Sequence, residues 1–362
     1  MKTSVCMLAV VAGLAAASQA QVSMTLLKTI DTSSTSTNTN TNFVGSNVSG
    51  IAWNGTDLYV AGYNASGATA NTGMAKFSNA LGAGSWSNTF GALSTSNSRG
   101  FSSLAIKGNT LLAGWENGAG NVNSVRGFNA TALTQSWATG GGTPDATRRG
   151  SAVAFDPGFN AGGTNVGASY LSIGSGRRHV LDASTGAYIN GQNAGDIINE
   201  ASGTSNWRGM AFDSATGDLY ARESNRVFKA VRTADNAFSN STILNAYTTA
   251  TAVDNQNIAL MNITGVGKVL IANDRSVTTG GQIFTSVIKI TDTNGVAQTI
   301  NWNGFSALNG NGAYNFSFDA ASQTLAISDF ANRSVYIFAV PTPGTAALLG
   351  LGGLIVARRR RA

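Results

Sequence analysis

Three short stretches set an arginine directly before a glycine: Ser98-Arg99-Gly100, Arg148-Arg149-Gly150 and Trp207-Arg208-Gly209. A guanidinium donates two parallel hydrogen bonds to a carboxylate, sulfate or phosphate, and the glycine beside it admits a tight or positive-φ turn. Arg99, Arg149 and Arg208 therefore read as an anion-binding set, with Trp207 offering an indole to a sugar ring. The competing reading is that each arginine pairs with a nearby carboxylate or covers its own loop, as surface charges usually do. A second set is acidic. Glu223, Asn273 and Asp329 each stand four residues beyond the apolar start of a similar strand, and Asp274 follows Asn273. Oxygen ligands of this kind suit Ca2+ or Mg2+; alternatively, such short side chains cap the next turn through backbone N–H groups.

Other chemistry lacks material. His179 is the only histidine, set in the strand-like run GRRHVLDASTG with no evident partner for a triad, and reads as a structural residue. No EF-hand loop, phosphate-binding glycine loop or G-x-S-x-G elbow is present.

The elements that must position these residues recur. Six segments share an outline of apolar strand, turn and apolar strand: GIAWNGTDLYVAG, SLAIKGNTLLAG, SAVAFDPGFN, GMAFDSATGDLYAR, IALMNITGVGKVLIAND and FSFDAASQTLAISD. Matching Ala52, Ala105, Ala154, Ala211, Met261 and Ser317 gives spacings of 53, 49, 57, 50 and 56 residues. That is the period of a propeller blade. Two further strand-like runs follow each hairpin, which makes four strands per blade. The sixth unit ends after its third strand, Ser334 to Ala339, and its fourth is expected to be Ser23 to Ile30, SMTLLKTI. The expectation is an all-β, six-bladed β-propeller of four-stranded blades closed by an N-terminal strand, a closure that removes exposed sheet edges. Residues 31–42, DTSSTSTNTNTN, read as a low-complexity loop.

The sharpest copies, WRGMAFDSATGDLYARESNRVFKAV and YNFSFDAASQTLAISDFANRSVYIF, resemble NHL-type six-bladed propeller repeats. The resemblance implies the fold more than any activity, since propellers host binding, scaffolding and hydrolysis alike. Six-bladed lactonases of similar architecture hold a divalent cation at the channel mouth, so it also implies an alternative: a metal-dependent lactonase or hydrolase using Glu223, Asn273, Asp274 and Asp329.

Both ends read as addresses. Lys2, the apolar run Val5 to Ala17 and the small-x-small site Ser18-Gln19-Ala20 form a signal peptide, 1–20, that takes the only cysteine, Cys6, with it. At the other end Thr345 to Ala357 is an apolar run of 13 residues. At about 1.5 Å per residue it reaches roughly 20 Å, short of a hydrocarbon core of about 30 Å. Pro341-Thr342-Pro343, this run and Arg358, Arg359, Arg360 and Arg361 resemble the bacterial PEP-CTERM sorting signal, with Thr342 where the family has Glu. The resemblance implies processing of residues 341–362 by an exosortase-type enzyme after signal peptidase has acted, and only transient contact with the membrane.

The whole chain carries 23 Lys plus Arg against 17 Asp plus Glu; without Lys2 and the four terminal arginines the body, 21–340, holds 18 against 17. The basicity belongs to the addresses and excludes an argument for nucleic acid. The expected role is an exported, non-catalytic binder of envelope or extracellular-matrix material, polysaccharide or another envelope protein, with no cofactor. If the tail is processed, mass spectrometry of the mature protein from its host will find Arg358 to Arg361 gone. An intact C-terminus in the mature pool would overturn the assignment.

Overall fold

A computed structural model describes residues 21–33, 47–63, 71–94, 98–117, 125–139, 150–163, 167–172, 177–189, 196–197, 207–223, 226–239, 241–246, 257–273, 288–305, 313–329 and 332–340. Residues 1–20 and 341–362, expected from the sequence to be addresses, and the low-complexity stretch from residue 34 on lie outside these residues. The described chain is all-β, with one short 3-10 turn at Phe159–Ala161.

After β1 (Gln21–Asp31) the strands fall into antiparallel groups. The first holds β2 (Asn47–Trp53), β3 (Leu58–Tyr63), β4 (Asn71–Ser78) and β5 (Ser85–Ser94). The second holds β6 (Ser98–Lys107), β7 (Thr110–Asn117), β8 (Val125–Asn129) and β9 (Thr134–Ala138). The third holds β10 (Gly150–Asp156), β11 (Gly167–Ser172), β12 (Arg177–Leu181) and the short β13 (Asp196–Ile197). The fourth holds β14 (Trp207–Phe212), β15 (Leu219–Glu223), β16 (Arg226–Ala230) and β19 (Thr242–Ala246), with a small hairpin, β17 (Arg232–Ala234) and β18 (Ala237–Phe238), before its last strand. The fifth holds β20 (Ile258–Ile263), β21 (Gly267–Asn273), β22 (Ile288–Asp292) and β23 (Ala297–Asn303). The last holds β24 (Ala313–Asp319), β25 (Thr324–Asp329) and β26 (Ser334–Ala339). Beside β26 lies β1, antiparallel from Thr25↔Ala339 to Asp31↔Ser334. The first residues of β1 pair in parallel with β23, from Gln21↔Thr299 to Thr25↔Asn303.

The first strand of each group lies beside that of the next: β2, β6, β10, β14, β20 and β24, with β24 against β2. Groups radiating from a ring of first strands make a β-propeller. Burial follows the radius. All six residues of β25, TLAISD, are buried, whereas β23, AQTINWN, alternates exposed and half-buried. Inner strands are covered on both faces and need near-continuous apolar sequence; outer strands have one covered face and alternate.

The core is divided among the boundaries between groups. Trp53, Leu58 and Val60 of the first group pack with Ala326, Val335 and Ile337 of the last. Phe316, Leu325 and Phe338 pack with Met261, Ile271 and Ile290 of the fifth. Tyr220 and Val227 meet Leu270 and Ala272 between the fourth and fifth groups. Each fully buried large side chain contributes about 1.5–3 kcal/mol.

Polar bonds cross the same boundaries. Trp53 donates its backbone N–H to Ser317 Oγ at 2.9 Å and its indole N–H to Thr324 Oγ1 at 2.7 Å. Ser103 Oγ accepts from Val153 N at 3.1 Å. Gln323 accepts from Thr264 N at 3.0 Å and donates to Asn262 O at 3.1 Å. The densest crossing joins the third and fourth groups. Asp156, fully buried, receives Arg178 on Oδ2 and Arg232 Nη2 on Oδ1 at 2.6 Å, with both guanidiniums equally excluded from water. Ser169 Oγ and Gly158 N complete the carboxylate's partners at 3.0 and 2.9 Å. Arg232 also donates to Gly217 O at 2.8 Å and lies over the Phe238 ring, 4.6 Å from its centroid. Gly217 has φ +80°, and a Cβ there would stand 2.8 Å from the Arg232 chain, so the turn needs glycine for its backbone and for the approach.

Two predictions follow from these crossings. Asp156→Asn leaves two buried guanidiniums without their counter-charge and should cost about 3–5 kcal/mol in denaturant unfolding; a loss below about 1 kcal/mol would show that the site rearranges. The second concerns Asp213, whose Oδ2 meets Lys268 Nζ at 2.6 Å across the fourth and fifth groups. Desolvation alone would raise this carboxyl, but the ammonium and the Ala215 and Thr216 amides outweigh it and hold it below its usual range. Its contribution is therefore complete above the unfolded Asp value of about 3.9 and is lost as pH falls through the lower folded value. The stability gap between wild type and Lys268→Met should be widest at neutral pH and close in acid; a gap independent of pH would contradict the pairing.

Candidate functional site

Antiparallel strands alternate direction, so in each group the start of the first strand, the end of the second and the start of the third lie at one end. Arg99, Trp207, Arg208, Glu223, Asn273 and Asp329 map to that end. The opposite end carries short turns closed by Asn or Asp side chains. Asn54 Oδ1 accepts from Thr56 N and Asp57 N at 3.0 and 2.7 Å, Asp182 Oδ1 from Ser184 N and Thr185 N at 2.8 and 2.9 Å, and Asp292 Oδ1 from Asn294 N and Val296 N at 2.8 Å each.

Arg99 and Arg208 do not share one structural position. The pairs Trp207↔Glu223 and Gly209↔Arg222 leave Arg208 as the extra residue of a β-bulge. The same bulge holds Ser49 between Val48↔Gly62 and Gly50↔Ala61, Ser102 between Phe101↔Trp115 and Ser103↔Gly114, and Ser151 between Gly150↔Ser172 and Ala152↔Leu171. Arg208 thus stands where the first three groups have a serine, and Arg99 stands three residues before that serine in the second group, in a further bulge between Ser98 and Gly100. The shared Arg-Gly pair misled because a bulge shifts the register without changing the motif. Arg149 and Asp274 lie outside the described residues.

Burial separates the candidates further. Trp207 is 1% exposed, its ring 5.3 Å from that of Phe228, so the indole belongs to the packing between the third and fourth groups and is not an open face for a sugar. Arg208 is 4% exposed. His179 is buried in β12 with its ring edge-on to Tyr188.

The second set is buried and engaged by the chain itself. Glu223 receives Arg226 Nη2 at 2.5 Å. Asn273 Oδ1 accepts from Arg222 Nη1 at 2.9 Å. Asp329 accepts from the backbone N–H and side-chain amide of Asn332, at 3.0 and 2.8 Å. Burial and, after it, the Asp329 carboxylate push the Tyr336 phenol up to about 12. Arg222, Arg226 and Asn332 were not among the sequence candidates, although the spacing Glu223-x-x-Arg226 and Asp329-x-x-Asn332 carried the signal. Among the described residues no three of His, Cys, Asp and Glu are grouped so as to hold a metal ion, and no helix is long and apolar enough to cross a membrane.

No family model matches the chain, and no curated protein does. Solved structures do. An auxiliary nutrient binding protein from Bacteroides thetaiotaomicron VPI-5482 superposes with a TM-score of 0.54 at 10% identity, over 82% of this chain and 69% of that one. The β-propeller domain of Cps50 (Swd1) from Myceliophteria thermophila gives 0.47 at 10% identity, over 81% and 84%. The WD40 domain of Neurospora crassa Pan2 gives 0.47 at 10% identity, over 88% and 96%. The likeness to the Bacteroides protein is one of fold.

Proposed function

We propose that the chain is an exported, non-catalytic six-bladed β-propeller, its ring completed by β1, that binds acidic polysaccharide of the bacterial envelope or extracellular matrix. Its ends are a signal peptide and a PEP-CTERM-like tail, served by signal peptidase and an exosortase-type enzyme. The cyclic order of first strands and the packing of the last group on the first support the ring. One observation carries the choice of binding over hydrolysis: Glu223, Asn273 and Asp329 are buried, and each is bonded to a neighbour in its own chain. A metal site or a general acid–base pair needs carboxylates open to a cation or substrate. Arg99 and Arg149 are then the residues assigned to the anion-binding rim, and the buried Arg208 is left out of it.

The full chain should be retained on immobilised alginate at low salt and elute as salt screens the contacts. Arg99→Gln with Arg149→Gln should abolish retention and change stability by no more than about 0.5 kcal/mol, as surface substitutions do. Unaltered retention of the double variant would reject the rim, and a wild-type chain that passes straight through would reject the acidic-polysaccharide reading.

A further inference from the structure

We propose that the turn end of the propeller is a lipid-docking surface, laid on the bilayer while the tail is held there, with the end that carries Arg99 pointing away. The inference rests on the tail reading above, and two observations carry it. The first is where the tail leaves. β26 is the third strand of its group and ends, like the other third strands, at the turn end. Val340, which follows it, is buried and donates its backbone N–H to Gln323 O, in the turn between β24 and β25, at 2.9 Å. The body thus fixes the chain up to the last residue before the tail. Pro341 to Gly344 are the four residues between that point and the apolar run. Fully extended, four residues reach at most about 14 Å. The run itself, at roughly 20 Å, is shorter than a hydrocarbon core of about 30 Å and seats where the bilayer thins around it. Neither segment leaves slack, so an inserted tail draws the turn end to the lipid surface.

The second observation is what that end exposes. Among the described residues seven large apolar side chains are exposed, and four of them, Leu81, Ile189, Val231 and Val296, lie in the connections that follow the third strands of the first, third, fourth and fifth groups. The second group differs and buries its Leu133. In the last group the same place is the start of the tail. Beside it the exposed Leu27 stands on β1, next to Leu26, which pairs with Phe338. Single exposed apolar residues are common on protein surfaces. Here they recur at one place in successive groups, and the tail leaves from that place in the last. Leu81 and Val296 are presented by tight turns, closed by Gly82 N to Asn79 O at 3.0 Å and Gly295 N to Asp292 O at 3.1 Å, so little backbone freedom is lost on contact. Side chains so placed enter the boundary between headgroups and acyl chains, where binding grows with the apolar area buried.

The test uses the full chain with Cys6→Ser on vesicles of phosphatidylethanolamine and phosphatidylglycerol that carry a spin-labelled lipid as quencher. A fluorophore is attached at Leu81→Cys or Val296→Cys on the turn end, or at Asp31→Cys, exposed where β1 pairs with the start of β26. The first two should shift to the blue and be quenched, while the third keeps its emission in water. Leu81→Gln, Val231→Gln and Val296→Gln together should weaken partition to the vesicles roughly tenfold or more, since three apolar contacts are lost. Turn-end fluorophores that stay in water on bound protein, equal quenching at Asp31→Cys, or unaltered partition of the triple variant would overturn the surface and leave the tail reading in place. Changing Leu348, Leu349, Leu351 and Leu354 to Asn should release the chain; a chain that still binds through its turn end would keep the surface and remove the tail reading. A wild-type chain that does not bind the vesicles would overturn both.

Discussion

Each group of strands presents two apolar faces and can cover neither by itself. Trp53 and Ile51 look one way from the first group and Ala52 and Tyr59 the other, because successive side chains of a strand point to opposite faces. The only cover available is another group with the same problem. A row of such groups would leave two faces in water at its ends, whereas a ring leaves none. The packing of Ala326, Val335 and Ile337 on Trp53 and Leu58 is the place where that difference is settled. The rest of the architecture follows from this constraint, including a core divided among boundaries and strands whose burial falls with distance from the axis.

Polar groups at the boundaries serve register more than adhesion. An apolar face can slide, and one residue of slip along a strand would exchange its two faces. Ser103, Ser317 and Gln323 each bind a backbone group of the adjacent group, which allows one alignment. Asp156 does the same between two guanidiniums, where any other alignment would strand a buried charge. The hairpin of β17 and β18 belongs to this contact, since Arg232 and Phe238 lie on it.

The strands were legible because their signal is local: an apolar run, a turn residue and a second run, repeated. The place of Ser23 to Ile30 beside β26 was legible for another reason, as the only run left without a partner. The site was less so. Arg99 and Arg208 share a motif in the sequence, but a β-bulge consumes a residue without altering the letters around it, and the two take different positions. Trp207 looked like an open indole because nothing in WRGMAF distinguishes a ring at a channel mouth from one pressed on Phe228, a residue on another strand. Glu223 and Asp329 were read with both outcomes open, and the partners that engage them, Arg226 and Asn332, stand three residues downstream.

The strand made first is paired with strands made last. β1 waits through the synthesis of the first four groups before β23 and β26 exist. Until then its alternating apolar residues have no cover, and the last group lacks an outer strand. Such long-range pairing is slow to form and leaves open edges while it does. A chain that crosses a membrane unfolded, with its first strand emerging first, would meet the receiving compartment carrying that strand unpaired. The polar, nearly charge-balanced composition of the intervening repeats therefore matters before the fold exists: it must keep an open chain from joining its neighbours until its two ends meet.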